Sequence, residues 1–300
     1  MNAEYRERNK EQGEPGATGT LYLVTTPIGN LEDLTPRAAR ILKEVDLIAA
    51  EDTRQTRKLL AHLGIQQRLI SYYREREQER AELLLEFLAD GENIAVVSDA
   101  GTPGLSDPGA VLVAKAVAVG IQVVPIPGVS ACLAALVASG LPTHRFVFEG
   151  FLPRKPKEKK ERLVALADEE RTIVLYEAPH RLTETLGLLA EQLGPERPVV
   201  IARELTKKFE EFWRGSLAEA VRVWSARDVR GEFTLVLAGR PPAVREEADA
   251  AAYDRFCQEV RQRCATGEKA SAVIREIAQR ENISRSSLYQ YYQKQKSKGE

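Results

Sequence analysis

Residues 93–109 read NIAVVSDAGTPGLSDPG. An apolar, β-branched run leads into residues 98–109, where three glycines (Gly101, Gly104, Gly109) and two prolines (Pro103, Pro108) shape a loop poor in side chains. Such a run bounded by glycine and proline reads as a strand entering a turn-rich connection. Strand-to-helix loops usually take about 2–6 residues, so a loop this long favours binding over a plain connection, which is the alternative reading. Glycine lets a ligand approach the backbone closely, and ligands of open α/β sheets sit beyond the carboxyl ends of the strands. Asp107-Pro108 should open the next helix, with aspartate as N-cap and proline at the first helical position.

Outward from this loop, β-like runs alternate with helical patterns. Strands are predicted at 21–26, 46–50, 69–73, 93–99 and 122–126, with helices at 54–63, 75–90, 107–119 and 129–139. Thr35 caps a further helix that begins with Pro36. This alternation is the mark of an α/β layered domain, spanning residues 19–140. A second α/β domain follows over 141–240, with strands at 145–152, 171–178, 198–205, 208–215 and 232–239 and helices at 156–168, 180–193 and 216–225. Residues 241–252 change to prolines and mixed charge and read as a linker. Residues 253–298 carry helical periodicity, and residues 1–18 read as a flexible, charged leader.

The composition fits a globular chain: 300 residues, 43% hydrophobic and 29% charged, with a net charge of −1. Cys132, Cys257 and Cys264 are too few and scattered for a disulfide framework or a zinc site, so no metal is expected and a reduced cytoplasm is the simplest location. The leader has no apolar core of a secretory signal. The most apolar stretch, 111–142, is broken by Lys115, Gln122, Pro125 and Pro127 and falls short of the ~18 residues a membrane helix needs. The first turn, TTPIGN at 25–30, is not a G-x-G-x-x-G fingerprint, and no P-loop, H-E-x-x-H or C-x-x-C occurs.

Three more strand ends carry polar clusters: PIPGVSA at 125–131, YEAPHR at 176–181 and ARELTKK at 202–208. Alone, each is most simply a solvated loop or helix start. Two such clusters on one sheet, beside a glycine-rich loop on another, point to a shared site.

The motifs LVTTPIGNLED, SDAGTPGLSDPG, PGVSA, YEAPHR, ARELTKKFEEFWRG and GEFTLVLAG occur in that order. Together they resemble the tetrapyrrole-methylase-like class of S-adenosylmethionine-dependent methyltransferases, and within it the branch that methylates small-subunit ribosomal RNA. The resemblance covers about residues 19–240 and the helical tail. It implies two α/β domains of the tetrapyrrole-methylase type with the cofactor cleft between them, and a homodimer. It also implies S-adenosylmethionine as cofactor and the small ribosomal subunit as partner. The reaction implied is 2′-O-methylation of a decoding-centre cytidine, cytidine 1402, in 16S ribosomal RNA. Carried over by motif, Pro27 and Gly29 would line the cleft floor, and Asp99, Gly101, Thr102 and Pro103 would form the loop over the cofactor. Ser130 and Ala131 would meet its adenosyl part, and Ala178, Glu204 and Thr234 would complete the pocket. Tetrapyrrole-acting relatives usually have Gly-Asp-Pro where this chain has Ser98-Asp99-Ala100, and often Pro-Ala or Pro-Ser where it has Phe233-Thr234. These departures favour the RNA branch over a tetrapyrrole C-methyltransferase.

A ribose hydroxyl needs a base, or a cation for the developing alkoxide. Glu177, Glu204 and His180 are the possible bases; Arg181, Arg203 and Lys207 are the possible cations. Glu204 with Lys207 is favoured, because a helix or tight turn puts residues three apart on one side, with Glu177 and Arg203 as further catalytic candidates.

The tail carries a helix-turn-helix-like pattern over 271–292. Val273, Ile274, Ile277 and Ala278 form an apolar face, Asn282 suits a tight turn, and Ser284 can cap a second helix from which Leu288 and Tyr291 pack back. Residues 255–298 hold ten basic and four acidic residues, a local +6. The tail is therefore an RNA-binding candidate through Arg285, Lys294 and Lys296, or else a packing module. A second basic cluster contains Arg154, Lys155, Lys157, Lys159 and Lys160. It could contact phosphates flanking the target, with Phe148, Phe151 and Tyr176 as nearby aromatic surfaces. A ligand-sensing helix-turn-helix regulator is the alternative from a different class.

Overall fold

The computed structural model describes residues 18–241, 250–281 and 283–296. Residues 1–17 of the predicted leader, 242–249 of the predicted linker, the Asn282 turn and Lys298 lie outside these. The chain divides into two compact units, residues 1–240 and 241–300.

The first unit contains two five-stranded sheets. The first sheet is built from β1 (Thr20–Val24), β2 (Leu47–Ala50), β3 (Leu69–Ser71), β4 (Ile94–Val97) and β5 (Gln122–Ile126) in the order β3-β2-β4-β1-β5. All its pairings are parallel. Parallel sheets are covered on both faces, and β2 and β4 are accordingly buried at every position. The covering helices are α1 (Pro36–Glu44), α2 (Thr53–His62), α3 (Glu77–Ala89) and α4 (Ala110–Ala118). Thr35 caps α1 as expected, its Oγ1 accepting from the Ala38 N–H at 3.1 Å.

The expected cap at Asp107 does not form. Helix α4 begins only at Ala110, and its N-cap is Gly109 at φ +144°. A side chain there would be strained, and its Cβ would come 2.9 Å from the Gly104 nitrogen. The chain needs this conformation because the Gly104 N–H donates to the Pro108 carbonyl, 3.0 Å, folding 104–108 into a tight turn. Glu77 then accepts from the Gly109 N–H at 2.8 Å. Asp107 is thereby released from the helix end.

The second sheet is built from β6 (Phe146–Phe151), β7 (Thr172–Glu177), β8 (Pro198–Arg203), β9 (Glu211–Ser216) and β10 (Phe233–Leu237) in the order β6-β7-β10-β8-β9. Only β6 and β7 pair in parallel. Helices α6 (Pro156–Ala167), α7 (Leu182–Leu193) and α8 (Leu217–Ser225) cover one face. Strand β9 starts three residues later than predicted, because residues 204–210 form turns in which the Thr206 N–H donates to the Glu210 carboxylate at 2.6 Å.

The other face of the second sheet receives α5 (Ala131–Ser139), the helix that follows β5. Cys132, Ala135 and Leu136, with Ile28 from the first turn, join Val174, Val200, Ala202 and Val236 of the second sheet in one buried cluster. Each sheet has its own core, and this further cluster ties the two together. Alternation of small and large residues in ACLAALVAS lets the helix lie close on the strands. Leu136, 2% exposed, is predicted to cost about 2–5 kcal/mol on truncation to alanine, measured by urea unfolding of Leu136→Ala.

The second unit contains α9 (Ala250–Ala265), α10 (Ala270–Arg280) and α11 (Arg285–Lys296). Helix α9 already includes residues 250–252, which the sequence reading gave to the linker. Val260, Val273, Ile274, Ile277 and Leu288 are fully buried among the three helices. The Ser284 hydroxyl accepts from the Ser287 N–H at 3.2 Å, the expected cap. Glu259, Glu268, Glu276 and Glu281 are all engaged by Arg263 and Arg280. Arg285 lies exposed at the start of α11.

Candidate active site

In the first sheet the carboxyl ends of β2, β4, β1 and β5 lie side by side, so the segments that follow them meet. The loop after β4 is pinned to the turn after β1 by two backbone hydrogen bonds: Thr26 N–H to the Gly101 carbonyl, 2.9 Å, and Gly101 N–H to the Thr26 carbonyl, 3.0 Å. The Thr26 hydroxyl also donates to the Ser98 carbonyl at 3.0 Å. Asp99 accepts from the Asp52 N–H at 3.1 Å, and Glu51 accepts from the Asp99 N–H at 3.2 Å, tying the loop to the end of β2.

In the second sheet β10 runs against β7 and β8, so its first residue, Phe233, pairs with Glu177 on one side and Arg203 on the other. The start of β10 thus sits beside the ends of β7 and β8. Docking of α5 brings these ends to the loops of the first sheet. A cleft of about 420 Å³ results, within the range typical of small-molecule sites, about 300–1,000 Å³.

Asp99, Gly101, Thr102, Ser130, Ala131, Glu177, Ala178 and Thr234 all line this cleft. Pro27, Gly29, Pro103, Arg203, Glu204 and Lys207 are not among its lining residues. They form the surrounding frame instead. Lys207 Nζ lies 2.9 Å from Glu204 and 2.7 Å from Glu232, and the Glu232 N–H donates to Glu204 at 3.0 Å. The Lys207 stem packs against Gly29, where a Cβ would collide with it. The Thr206 hydroxyl accepts from the Asn30 N–H at 3.1 Å. Glu204 and Lys207 are together as the spacing suggested, but they clasp the first turn to the second sheet. Burial pushes the Glu204 carboxyl up, yet Lys207 and the Glu232 N–H outweigh it and hold it below its usual value. Arg203 donates to the Arg230 carbonyl at 2.7 Å.

Glu177 is 2% exposed and fully engaged. It accepts from the Ala178 N–H at 2.9 Å and from the Thr185 hydroxyl at 2.6 Å, and Arg181 lies 3.6 Å away. Tyr176 accepts from the Cys132 N–H at 3.2 Å, a polar link between α5 and β7. Among the RNA-binding candidates, Arg154, Lys155, Lys157 and Lys160 are exposed, whereas Lys159 pairs with Glu184 at 2.8 Å and is mostly covered. In the tail, Lys294 borders a groove of about 300 Å³ with Tyr253, Ser287, Gln290 and Tyr291. The side chain of Lys296 lies outside the described residues.

Glu51 also lines the cleft, as do Leu105, Ser106 and Asp107, which lie within the glycine-rich loop but carry no individual signal as site residues in the sequence. Burial, reinforced by the negative charge of Glu51, pushes the Asp107 carboxyl up to about 7. Burial likewise raises Glu51 and Asp99. Asp52, by contrast, is held at about 2 by its hydrogen bonds from Arg54. The non-glycine residues with left-handed backbone among those described are Ser106 (φ +68°), Glu204 (φ +52°) and Thr206 (φ +66°). All three border the cleft or its clasp. Each such residue costs about 1–2 kcal/mol, so surrounding contacts must impose the conformation. Arg74 bonding to the Ser106 carbonyl is one of these. Glu177→Gln, which removes a buried charge from three partners, is predicted to lower unfolding stability by about 1–3 kcal/mol in urea titration.

The family profile described as tetrapyrrole (corrin/porphyrin) methylases matches residues 20–221. A protein of Synechocystis sp. named ribosomal RNA small subunit methyltransferase I is 51% identical over 272 residues, covering 91% of this chain and 96% of that protein. The protein of the same name from Bacillus subtilis is 53% identical over 222 residues, covering 74% of this chain and 75% of its own. Among solved structures, the uroporphyrin-III C-methyl transferase from Thermus thermophilus complexed with S-adenyl homocysteine is 25% identical with a TM-score of 0.53, covering 73% of this chain and 97% of that one. With the two sheets, the cleft and the ordered motifs in agreement, the chain belongs to the tetrapyrrole methylase family and, within it, to the ribosomal RNA small subunit methyltransferase I group.

Proposed function

We propose that the protein transfers a methyl group from S-adenosylmethionine to the ribose 2′-oxygen of a decoding-centre cytidine in 16S ribosomal RNA. In this reading it acts in the cytoplasm, as a homodimer, on the small ribosomal subunit. The observation that carries the reading is the cleft itself, where the polar strand ends of both sheets converge in a chain that is 51% identical to a ribosomal RNA methyltransferase.

The cleft residues suit the cofactor. Ile28, Ala131, Leu205 and Phe233 give it apolar walls, and Asp99, Thr102, Ser130 and Thr234 add polar groups. Ser130, the N-cap of α5, spends its side chain on no N–H of that helix; the Cys132 N–H is taken by Tyr176, which leaves the Ala131 N–H at the first turn for a ligand. We assign cofactor contact to Asp99, Gly101, Thr102, Ser130, Ala131, Ala178 and Thr234. Pro27, Gly29, Pro103 and Glu204 would support them from behind. When bound, S-adenosylmethionine supplies a methyl group on a sulfonium. The chain's own task is then to align the acceptor oxygen, and such positioning can contribute about 7–11 kcal/mol.

The RNA would approach past Phe151, which lines the cleft, is 49% exposed and meets Tyr176 edge-on at 5.8 Å. An aromatic ring at a cleft mouth can stack on an unpaired base. Arg154, Lys155, Lys157 and Lys160 follow it directly and would contact flanking phosphates; in the tail, Arg285, Lys294 and Lys296 would do the same. On α5, Leu133 and Val137 are exposed, apolar area that a second copy would cover. No described helix is long and apolar enough to cross a membrane.

The deciding experiment supplies labelled S-adenosylmethionine with undermethylated small subunits, naked 16S RNA or a porphyrinoid. Label is expected in RNA, in alkali-resistant dinucleotides, and label only in the porphyrinoid contradicts the proposal. Replacing Lys155 and Lys157 by alanine should lower the slope of log affinity against log salt by about 0.7 per lysine for single-stranded RNA, in filter binding. S-adenosylhomocysteine affinity should be unchanged in that variant and weakened in Asp99→Ala.

A further inference from the structure

The cleft carries five carboxylates, and four of them have other duties. Glu177 is buried under three partners. Glu232 is largely exposed and pairs with Lys207. Glu51 and Asp99 hold each other's loops through backbone N–H groups, as Asp99 accepts from Asp52 and Glu51 from Asp99. Asp107 is the fifth. The tight turn 104–108 and the glycine cap of α4 turn it away from the helix end and into the cleft. The residue before it, Ser106, is held in a left-handed conformation with its carbonyl on Arg74.

We infer that Asp107 is the proton acceptor for the ribose hydroxyl, an assignment that rests on the methyl-transfer reading above. The groups around it tune that role. From the first sheet, Glu51, Arg74, Ser98 and Asp99 face it, and from the second, Tyr176. Burial and the charges of Glu51 and Asp99 disfavour its ionised form, while the Ser98 hydroxyl and Arg74 favour it. A carboxyl that gains its proton near neutral pH is suited to general-base catalysis.

In the step itself, the 2′-O–H bond breaks and its proton passes to an Asp107 carboxylate oxygen. The electron pair left on the oxygen forms the new O–CH₃ bond. The methyl carbon's bond to sulfur breaks with its pair on sulfur, and S-adenosylhomocysteine leaves neutral at sulfur. Asp107 returns the proton to water. Positive charge on the donor and negative charge on Asp107 are both discharged, so the step balances.

The test uses the full chain with undermethylated small subunits, labelled S-adenosylmethionine, and a pH range from about 5 to 9. Asp107→Asn should reduce kcat by about 10²–10⁴-fold, the usual worth of a general base. Its KM for RNA and its affinity for S-adenosylhomocysteine should stay within about three-fold, which also shows that it folds. Asp107→Glu should recover part of the rate. Glu51→Gln should move the acid limb of the kcat profile to lower pH, since removing that charge lowers the pKa of Asp107. A readout without cofactor or RNA comes from unfolding. The folded-state pKa of about 7 lies above the unfolded value of about 3.9, so the folded chain holds the extra proton between them. Wild-type stability should therefore fall relative to Asp107→Asn as pH rises through that window, and then level off. If wild type labels no RNA, the functional reading fails and the inference falls with it. If wild type and Asp107→Asn label RNA at similar rates, or the acid limb does not move in Glu51→Gln, the inference alone is overturned.

Discussion

The apolar contact between α5 and the second sheet fixes everything else in the catalytic unit. Cys132, Ala135 and Leu136 bury themselves against Val174, Val200, Ala202 and Val236, with Ile28 completing the cluster. None of these residues carries chemistry. Their packing nevertheless decides where the strand ends of the first sheet meet those of the second, and so where Asp99 and Asp107 face Ala178 and Thr234. A hydrophobic interface of this kind is close-packed and tolerates little displacement. The polar ties, Tyr176 to the Cys132 N–H and Asn30 to Thr206, set the orientation that the apolar cluster alone would leave free.

Charge is distributed in a complementary way. Carboxylates gather inside the cleft, where burial raises Glu51, Asp99 and Asp107 together. A site with such groups suits a cationic sulfonium and an acceptor that must lose a proton. Basic residues lie outside it in 154–160, and the tail carries a basic excess of its own. In the tail, two arginines take up all four glutamates of 255–298, so its excess of positive charge is carried by the remaining lysines and arginines. A chain with a net charge of −1 can therefore still meet a polyanion.

Much of this was legible in the sequence because it is written locally. Strands such as LYLV and IAVV announce themselves as short apolar runs, Thr35-Pro36 by its cap, and the loop after β4 by its glycines. The α10–α11 pair followed from the periodicity of Val273, Ile274 and Ile277. Asp107 departs from the expected cap for an equally physical reason. Asp-Pro is a good local helix start, but the Gly104–Pro108 turn and Gly109 at φ +144° delay the helix, and nothing in the dipeptide reveals that. Its burial beside Glu51 and Tyr176 depends on chain far away in sequence. Glu204 and Lys207 illustrate the converse. Their spacing correctly put them in contact, but only the three-dimensional position of Gly29 and Glu232 shows that contact to be a clasp.

In the proposed arrangement one cofactor is held by both sheets at once. Hydrogen exchange of the full chain, with and without S-adenosylhomocysteine, tests it most directly. Slowed exchange is expected in three segments together: the loop 98–109, the start of α5 at 130–134, and the end of β7 with the turn that follows it, 177–181. Protection confined to one sheet, or found only in the tail helices, would contradict it.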